Sequence, residues 1–464
     1  MIEQYQSAIA LAIFLITYAI IVSEKIHRTV IALVGACLLI LVGILHLEAA
    51  VSAIDFNTIG LLVGMMIIVG ITRKTGVFEY LAVKSAKMSG GEPLKILAAL
   101  GIITAILSAL LDNVTTVLLI VPVTFAITNQ LKISVWPFLF TEIIMSNIGG
   151  TSTLIGDPPN IMIGSATGLG FMDFVLNLTP VVLVIGVVTI FLLQYIYRNQ
   201  LDTTQELKAN IMLMNEQEQI KDHTLLKKSL VVLALTILGF LLHQYFHLES
   251  SVIALSGASL LLLVSGEDVE HALAAVEWPV LFFFIGLFII VGGLEEVGII
   301  EKVAKWSLEA TGGNMVGTGM LILWLSAIAS SFVDNIPFVA TMIPLIQDMG
   351  RLGGIVDLNF LWWCLSLGAC LGGNGTIIGA SANVVVIGMA EKRGVRVTFV
   401  EFMKTAFPLM LMSIVISTGY LLLWYFYGHL QAAVITLVIA IVLAVLSRFM
   451  SGLLKSTKKA TSGS

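Results

Sequence analysis

The chain has 464 residues, 58% of them hydrophobic and 11% charged, with a formal net charge of −5 and a mean hydropathy of +1.02. Ordinary soluble domains carry about 25% charged residues, so a soluble enzyme or a nucleic-acid-binding protein is set aside. Apolar stretches of roughly 17–25 residues recur, the length that crosses a bilayer as helix, and the short alternating segments of a β-barrel are absent.

The fold class is therefore an all-α polytopic membrane protein. Its predicted helices run 7–22, 28–46 and 57–72, then a hairpin 94–130, a broken helix 135–168 and a helix 174–197. A second series follows at 230–246, 250–265 and 279–294, with a hairpin 315–347, a broken helix 358–389 and a helix 405–427. A last helix, 430–447, has no partner in the first series. The first segment has Glu3, no basic start and no small-residue cleavage site, and reads as a retained helix and not a signal peptide. Hairpin arms of about 16 residues around a polar tip are short for a roughly 30 Å hydrocarbon core and read as re-entrant. The stretch 295–309 alternates Glu and Lys with apolar residues, as a surface amphipathic helix does.

One plan is written twice. Leu111-Asp112-Asn113-Val114 returns as Val333-Asp334-Asn335-Ile336, and Gly149-Gly150-Thr151-Ser152-Thr153 as Gly372-Gly373-Asn374-Gly375-Thr376. Val30-Ile31-Ala32-Leu33 matches Val252-Ile253-Ala254-Leu255, Gly76 matches Gly298 and Pro122 matches Pro344, each pair 222 positions apart; from Gly149 the offset is 223. The layout is a first repeat 1–198, a cytoplasmic linker 199–228, a second repeat 229–428, an extra transmembrane helix 429–450 and a disordered cytoplasmic tail 451–464. Each hairpin returns to its own side, so each half has five net crossings, and an odd number inverts the second half. Placing loops 23–29, 73–95, 130–134, 198–228, 265–278, 390–404 and the C-terminus on one side collects 21 of the 24 Lys and Arg. The positive-inside rule makes that side cytoplasmic, with the N-terminus outside, in a cell inner (plasma) membrane.

Duplicated polar breaks inside apolar sequence point to a transporter's binding site. A carboxylate at bilayer depth costs about 2.5–3.5 kcal/mol on the insertion scale. Asp112 and Asp334 therefore need a cation, a proton, water or a protein partner. Asn113, Asn335 and Thr115 add oxygens at the tips, with Asn113 and Asn335 as candidate sodium ligands. Gly149, Gly150, Gly372 and Gly373 allow unwound backbone, and Thr151, Thr153, Asn374 and Thr376 supply uncharged oxygens beside them. Free carbonyls there can bind a cation, while a half-helix N-terminus favours an anion. Glu142 and Asp157 have Leu365 and Ala380 as counterparts and are candidate proton carriers, because an intramembrane carboxylate used once suits that role. Capping by the tip aspartates and close packing of the glycines are the structural alternatives. His-Glu-x-x-His, a phosphate loop and metal-spaced Cys/His sets are missing, and Cys37, Cys364 and Cys370 lie in apolar runs. No enzyme activity and no cofactor is expected; Na⁺ or H⁺ is the expected coupling ion.

The run Leu111-Asp112-Asn113-Val114-Thr115-Thr116-Val117, followed by Asn147-Ile148-Gly149-Gly150-Thr151 and Gly156-Asp157-Pro158-Pro159-Asn160, resembles the P-protein branch of the ion transporter superfamily. Relatives of that branch include arsenite permeases, NhaD sodium/proton antiporters, and citrate and dicarboxylate/sodium symporters. The resemblance extends over nearly the whole chain. It implies an inverted-repeat fold with re-entrant hairpins, a scaffold and a moving transport domain, a homodimer, and elevator-like motion. The symporters carry Ser-Asn-Thr at the hairpin tips, where this chain has Asp112-Asn113-Val114 and Asp334-Asn335-Ile336. Two fixed negative charges weigh against a carboxylate substrate and suit a cation, a proton-coupled cycle or a neutral solute. The sequence thus reads as a secondary active transporter of the arsenite permease/NhaD type for a small ion. The alternatives are an inorganic or citrate-like anion permease and, in a different class, a channel-like or regulatory membrane protein.

Overall fold

The structure is a computed structural model describing residues 5–23, 25–443 and 445. Among these residues every regular element is helical, and nine helices are long and apolar enough to cross a membrane. The extra C-terminal helix is described as His429–Leu443; its expected end and the expected tail, 451–464, lie outside the described residues.

Local chemistry sets the breaks. In the first hairpin, Pro93 opens the helix Pro93–Leu110, where a missing N–H costs nothing. Asp112 is extended (φ −164°, ψ 165°), and its carboxylate accepts from the Thr115 amide at 2.8 Å, restarting the helix Asn113–Leu131. The second hairpin repeats this with Met315–Phe332, then Asp334 accepting from the Ile336 amide at 3.1 Å, then Asn335–Gly353. The arms have 18 and 19 residues in both hairpins, not 16. At 1.5 Å per residue they reach about 27–29 Å, close to the core thickness, so arm length no longer argues for re-entrancy. The first broken helix is Trp136–Gly150 and Pro158–Thr167; the second is Asn359–Gly372 and Ser381–Glu391.

The two halves interlock through small residues. Helix Arg28–Leu41 packs on Trp278–Glu296, and Ser250–Ser265 packs on Phe56–Arg73. A Cβ on Gly64 would lie 2.5 Å from the Ala254 carbonyl carbon, and one on Gly286 2.7 Å from that of Ala32. Residues 32 and 254, and 64 and 286, are each 222 apart, so one contact is made twice with the halves exchanged. Within each half the hairpin's first arm packs on the broken helix.

Two expectations change, and the linker gains detail. The expected helix 28–46 stops at Leu41, and Leu47–Ser52 follows as a separate short helix after Gly43 (φ 76°). Val77–Met88 is a helix where a basic loop was expected, and it is the counterpart of Ile299–Thr311. The linker is structured: Gln205–Leu213 is helical, with Ile211 buried. The linker is tied down by Thr203 Oγ1 to the Leu131 carbonyl (2.8 Å), the Lys221 amide to the Thr75 carbonyl (2.9 Å), and the ion pairs Lys208–Glu92 (3.1 Å) and Lys87–Glu216.

Candidate ion site

Six helices begin at one small cavity: Asn113–Leu131, Pro158–Thr167, Asn335–Gly353 and Ser381–Glu391 from the hairpins and broken helices, with Arg28–Leu41 and Trp278–Glu296 beside them. The cavity measures about 90 Å³ and is reached by both hairpin tips and both broken helices. A helix N-terminus behaves as roughly half a positive charge. Here the N-cap positions are Asp112, Asp157, Asp334 and Ala380 for the hairpins and broken helices, and His27 and Glu277 for the other two. Four of the six positive ends therefore already hold a carboxylate, at the place where a bound anion would otherwise sit.

The two tips are not equivalent. Asp112 lines the cavity with Asn113 and Thr115 and has no ion-pair partner among the described residues. Asp334 pairs with Arg28 at 2.7 Å, and the Ser381 hydroxyl donates to the same carboxylate oxygen at 2.9 Å. Arg28 also donates to Ser381 Oγ at 2.7 Å. Asp157, fully buried on the first broken helix, takes the Asn335 amide of the second tip at 3.3 and 3.5 Å. Glu277 stands half-buried at the rim. Asp112, Asp157 and Glu277 thus share the cavity lining with one guanidinium, Arg28, which is itself paired with a fourth carboxylate, Asp334.

Behind the cavity runs an asparagine network. Asn113 donates to Asn147 (3.0 Å), and Asn147 donates to Asn374 and Asn383 (both 2.9 Å), tying the first tip to both broken helices. Asn160 and Asn383 hold the unwound strands: Asn160 donates to the Thr151 and Thr153 carbonyls (3.1 and 2.8 Å), and Asn383 to those of Gly373 and Thr376 (2.7 and 2.8 Å). Thr153 donates to the Ala109 carbonyl at 2.5 Å, and its counterpart Thr376 donates to that of Ser331. Thr151 donates to the Asn147 carbonyl at 2.7 Å.

A family model described as citrate transporter (CitMHS) matches residues 18–368. The chain belongs to the CitMHS citrate transporter family. An uncharacterised transporter of Mycobacterium tuberculosis is 43% identical over 425 residues, covering 90% of this chain and 99% of that protein. The mouse P protein is 35% identical over 501 residues, covering 90% of this chain and 60% of that protein, so the resemblance drawn from the tip and Gly-Gly motifs holds. The solved Alcanivorax borkumensis YdaH transporter shares the fold, with a TM-score of 0.54 at 15% identity over 82% of this chain and 88% of that one. The protein is a multi-pass membrane transporter.

In this CitMHS chain the cavity gathers Asp112, Asn113, Thr115, Asp157 and Asn335 from the residues singled out in the sequence, with Asp334 bound to the cavity's Arg28. Thr151, Thr153, Asn374 and Thr376 lie buried behind it with their side chains engaged by protein groups. Gly149, Gly150, Gly372 and Gly373 are not among the lining residues, and none has positive φ. They are glycines for space: a Cβ on Gly149 would lie 2.2 Å from the Ala105 carbonyl oxygen, and one on Gly372 2.6 Å from that of Ala327. Glu142 stands away from the cavity, fully buried on Trp136–Gly150. One of its oxygens accepts from Thr124 and the other has no partner among the described residues.

Sequence reasoning missed Arg28, Glu277, Ser381 and the hub Asn147. Arg28 was counted among cytoplasmic loop cations; the structure places it in an ion pair at the second tip. Its signal was positional, since the matching residue at 250 is Ser and the repeat leaves a cation with no counterpart. Glu277 matches Asp55 at 222, and an acid retained twice at a helix start could have been read.

Proposed function

We propose that this chain is a secondary active transporter of the arsenite permease/NhaD type, moving a small ion by coupling to a sodium or proton gradient, through elevator-like alternating access. The observation carrying this reading is the surplus of carboxylates at the cavity, with three N-caps filled by aspartate and one guanidinium to offset four acids. Each unpaired carboxylate at membrane depth costs several kcal/mol, so the site calls for cations or protons. Asn113 and Asn335 are the candidate sodium ligands, and Glu142 and Asp157 the candidate proton carriers. A homodimer in the plasma membrane, with inverted repeats, N-terminus outside and C-terminus cytoplasmic, completes the proposal.

A citrate-like anion permease is the second reading, favoured by the description of the family. The cavity's size and charge oppose it: about 90 Å³ is well below the roughly 300 Å³ at which organic-ligand pockets begin, and its fixed charges would repel a polycarboxylate.

Purified protein in vesicles, challenged in turn with sodium, proton, arsenite, phosphate and citrate gradients, separates these readings. Gradient-coupled, saturable flux driven by sodium or protons supports the first, and Asp112→Asn or Asp334→Asn then abolishes that flux while expression is retained. Citrate flux indifferent to Asp112→Asn would transfer the case to the anion reading. Non-saturable conductance would favour a channel.

A further inference from the structure

The two acidic tips are copies, yet among the described residues only one has a protein cation. Arg28 is the first residue of helix Arg28–Leu41, following the N-cap His27. A cation there faces the positive end of its own helix dipole, an unfavourable place unless an anion compensates. The compensating anion is Asp334 at 2.7 Å, reinforced by Ser381, which bridges the pair. The guanidinium is steadied on its other side by the Phe283 ring, 4.9 Å from the ring centre, and its helix is anchored next door by Thr29 Oγ1 on the Pro279 carbonyl at 2.6 Å. The repeat places Ser250 where a matching arginine would stand, and no ion pair reaches Asp112 among the described residues.

We propose that Arg28 is a tethered counter-cation that permanently fills the second of two originally equivalent ion positions, so that one mobile cation or proton, not two, binds at the tips, at Asp112. The proposal rests on the cation-coupled reading above and adds the ion count and its asymmetry. It also assigns a specificity role to Arg28: an ammonium or sodium ion needs a coordination shell of oxygens, whereas a guanidinium supplies fixed donors matched to a carboxylate and cannot lose its proton. Transport would therefore carry the charge of Arg28 unchanged through the cycle, while the Asp112 position fills and empties.

The test counts ions by linkage. A ligand that binds the folded protein alone raises its stability with ligand concentration, and near saturation two independent sites give twice the slope of one. Thermal unfolding of the purified protein in detergent is followed against sodium, replaced by N-methyl-D-glucamine at constant ionic strength, and separately against pH. The groups around Arg28 that titrate or carry charge are His27 beside it, Asp334 and Asp112 at the tips, Asp157 on the broken helix and Glu277 at the rim. The expected result is that Arg28→Ser, which installs the residue of the other repeat, about doubles the wild-type slope in the sodium arm, or adds the slope of one further proton in the proton arm, where Glu142 and Asp157 already contribute. Arg28→Lys keeps the wild-type slope, and Arg28→Ser with Asp334→Ser returns to it. Equal slopes for wild type and Arg28→Ser would overturn the proposal. Should Arg28→Ser fail to fold, Asp334→Ser replaces it: the freed guanidinium should raise the half-stabilising sodium concentration or proton activity at least tenfold, and no change refutes the tether. A wild type indifferent to both sodium and pH removes the cation reading itself, a failure distinct from equal slopes.

Discussion

Glu142 shows how a single residue separates structural cost from function. Its side chain is fully buried, it accepts one hydrogen bond from Thr124, and its second oxygen is unpartnered. Two hydroxyls on the neighbouring helices, Thr116 and Thr189, are likewise buried without partners. The repeat replaces this patch with carbon: Glu142, Thr124 and Thr116 correspond to Leu365, Ile346 and Phe338. An unsatisfied buried polar group costs about 1–3 kcal/mol. Glu142→Leu should therefore raise stability by about that amount, because Thr124 retains the Ile120 carbonyl at 3.3 Å. If the carboxyl carries protons, the same substitution and Glu142→Gln should remove the pH dependence of flux in reconstituted vesicles. Stabilisation with an unchanged pH profile would make Glu142 a structural relic; destabilisation would contradict the unpaired oxygen.

At the scale of elements, the glycine pairs and the linker make separate predictions. Gly149 and Gly372 end helices that press on the hairpin arms, with 2.2 and 2.6 Å left for a Cβ before a backbone carbonyl oxygen. Overpacking of this kind costs typically about 1–3 kcal/mol. Gly149→Ala and Gly372→Ala should both lower thermal stability, the former more, whereas Gly388→Ala, with open space around it, should be neutral. Equal effects at all three sites would restore the reading of these glycines as backbone hinges. The linker is held by Lys87, whose hydrogen bond and charge keep the Glu216 carboxyl below its ordinary value. A depressed carboxylate stabilises above its unfolded value and loses that contribution as pH falls through the folded one. The Lys87–Glu216 tie should therefore be lost on acidification below the ordinary glutamate range, about pH 4.3, and Glu216→Gln should remove it at neutral pH while the other anchors hold, read as modestly faster trypsin cleavage after Lys221. What the sequence showed depended on contrast. Polar tips in apolar sequence were plain, so Asp112, Asn113, Asp334 and Asn335 were found. Val77–Met88 was hidden because Glu79, Lys84 and Lys87 resembled a basic loop, although the stretch 295–309, which holds most of its partner helix, was read as amphipathic and Gly76 was already matched to Gly298. Arg28 was hidden for the opposite reason, since a cation near a helix start looks like an ordinary loop charge until its partner, 306 residues away, is seen.

The whole molecule is governed by the exchange of contacts between halves. Gly64 on Ala254 and Gly286 on Ala32 are one contact made twice, as are Ser108 on the Ser146 carbonyl (2.6 Å) and Ser330 on that of Ala369 (2.7 Å). Repeats related by an axis in the membrane plane would use such pairs to build two hairpins opening to opposite sides. That orientation is testable through the positions just inside each tip. Thr115 lines the cavity on the first hairpin, and Phe338, the counterpart of Thr116, stands in the first turn of the second hairpin's return helix, three residues beyond Asn335. In a background with the exposed Cys37 replaced by serine, the remaining Cys364 and Cys370 are buried and should stay silent. A cysteine at Thr115 should then react with a membrane-impermeant maleimide from the cytoplasmic side, and one at Phe338 from outside. Alternating access adds a second requirement: a sodium or proton gradient should shift the two reactivities in opposite directions, because one mobile body cannot expose both tips at once. Labelling of both from one side would defeat the inverted arrangement, and gradient-independent labelling would leave the inversion standing while removing the elevator.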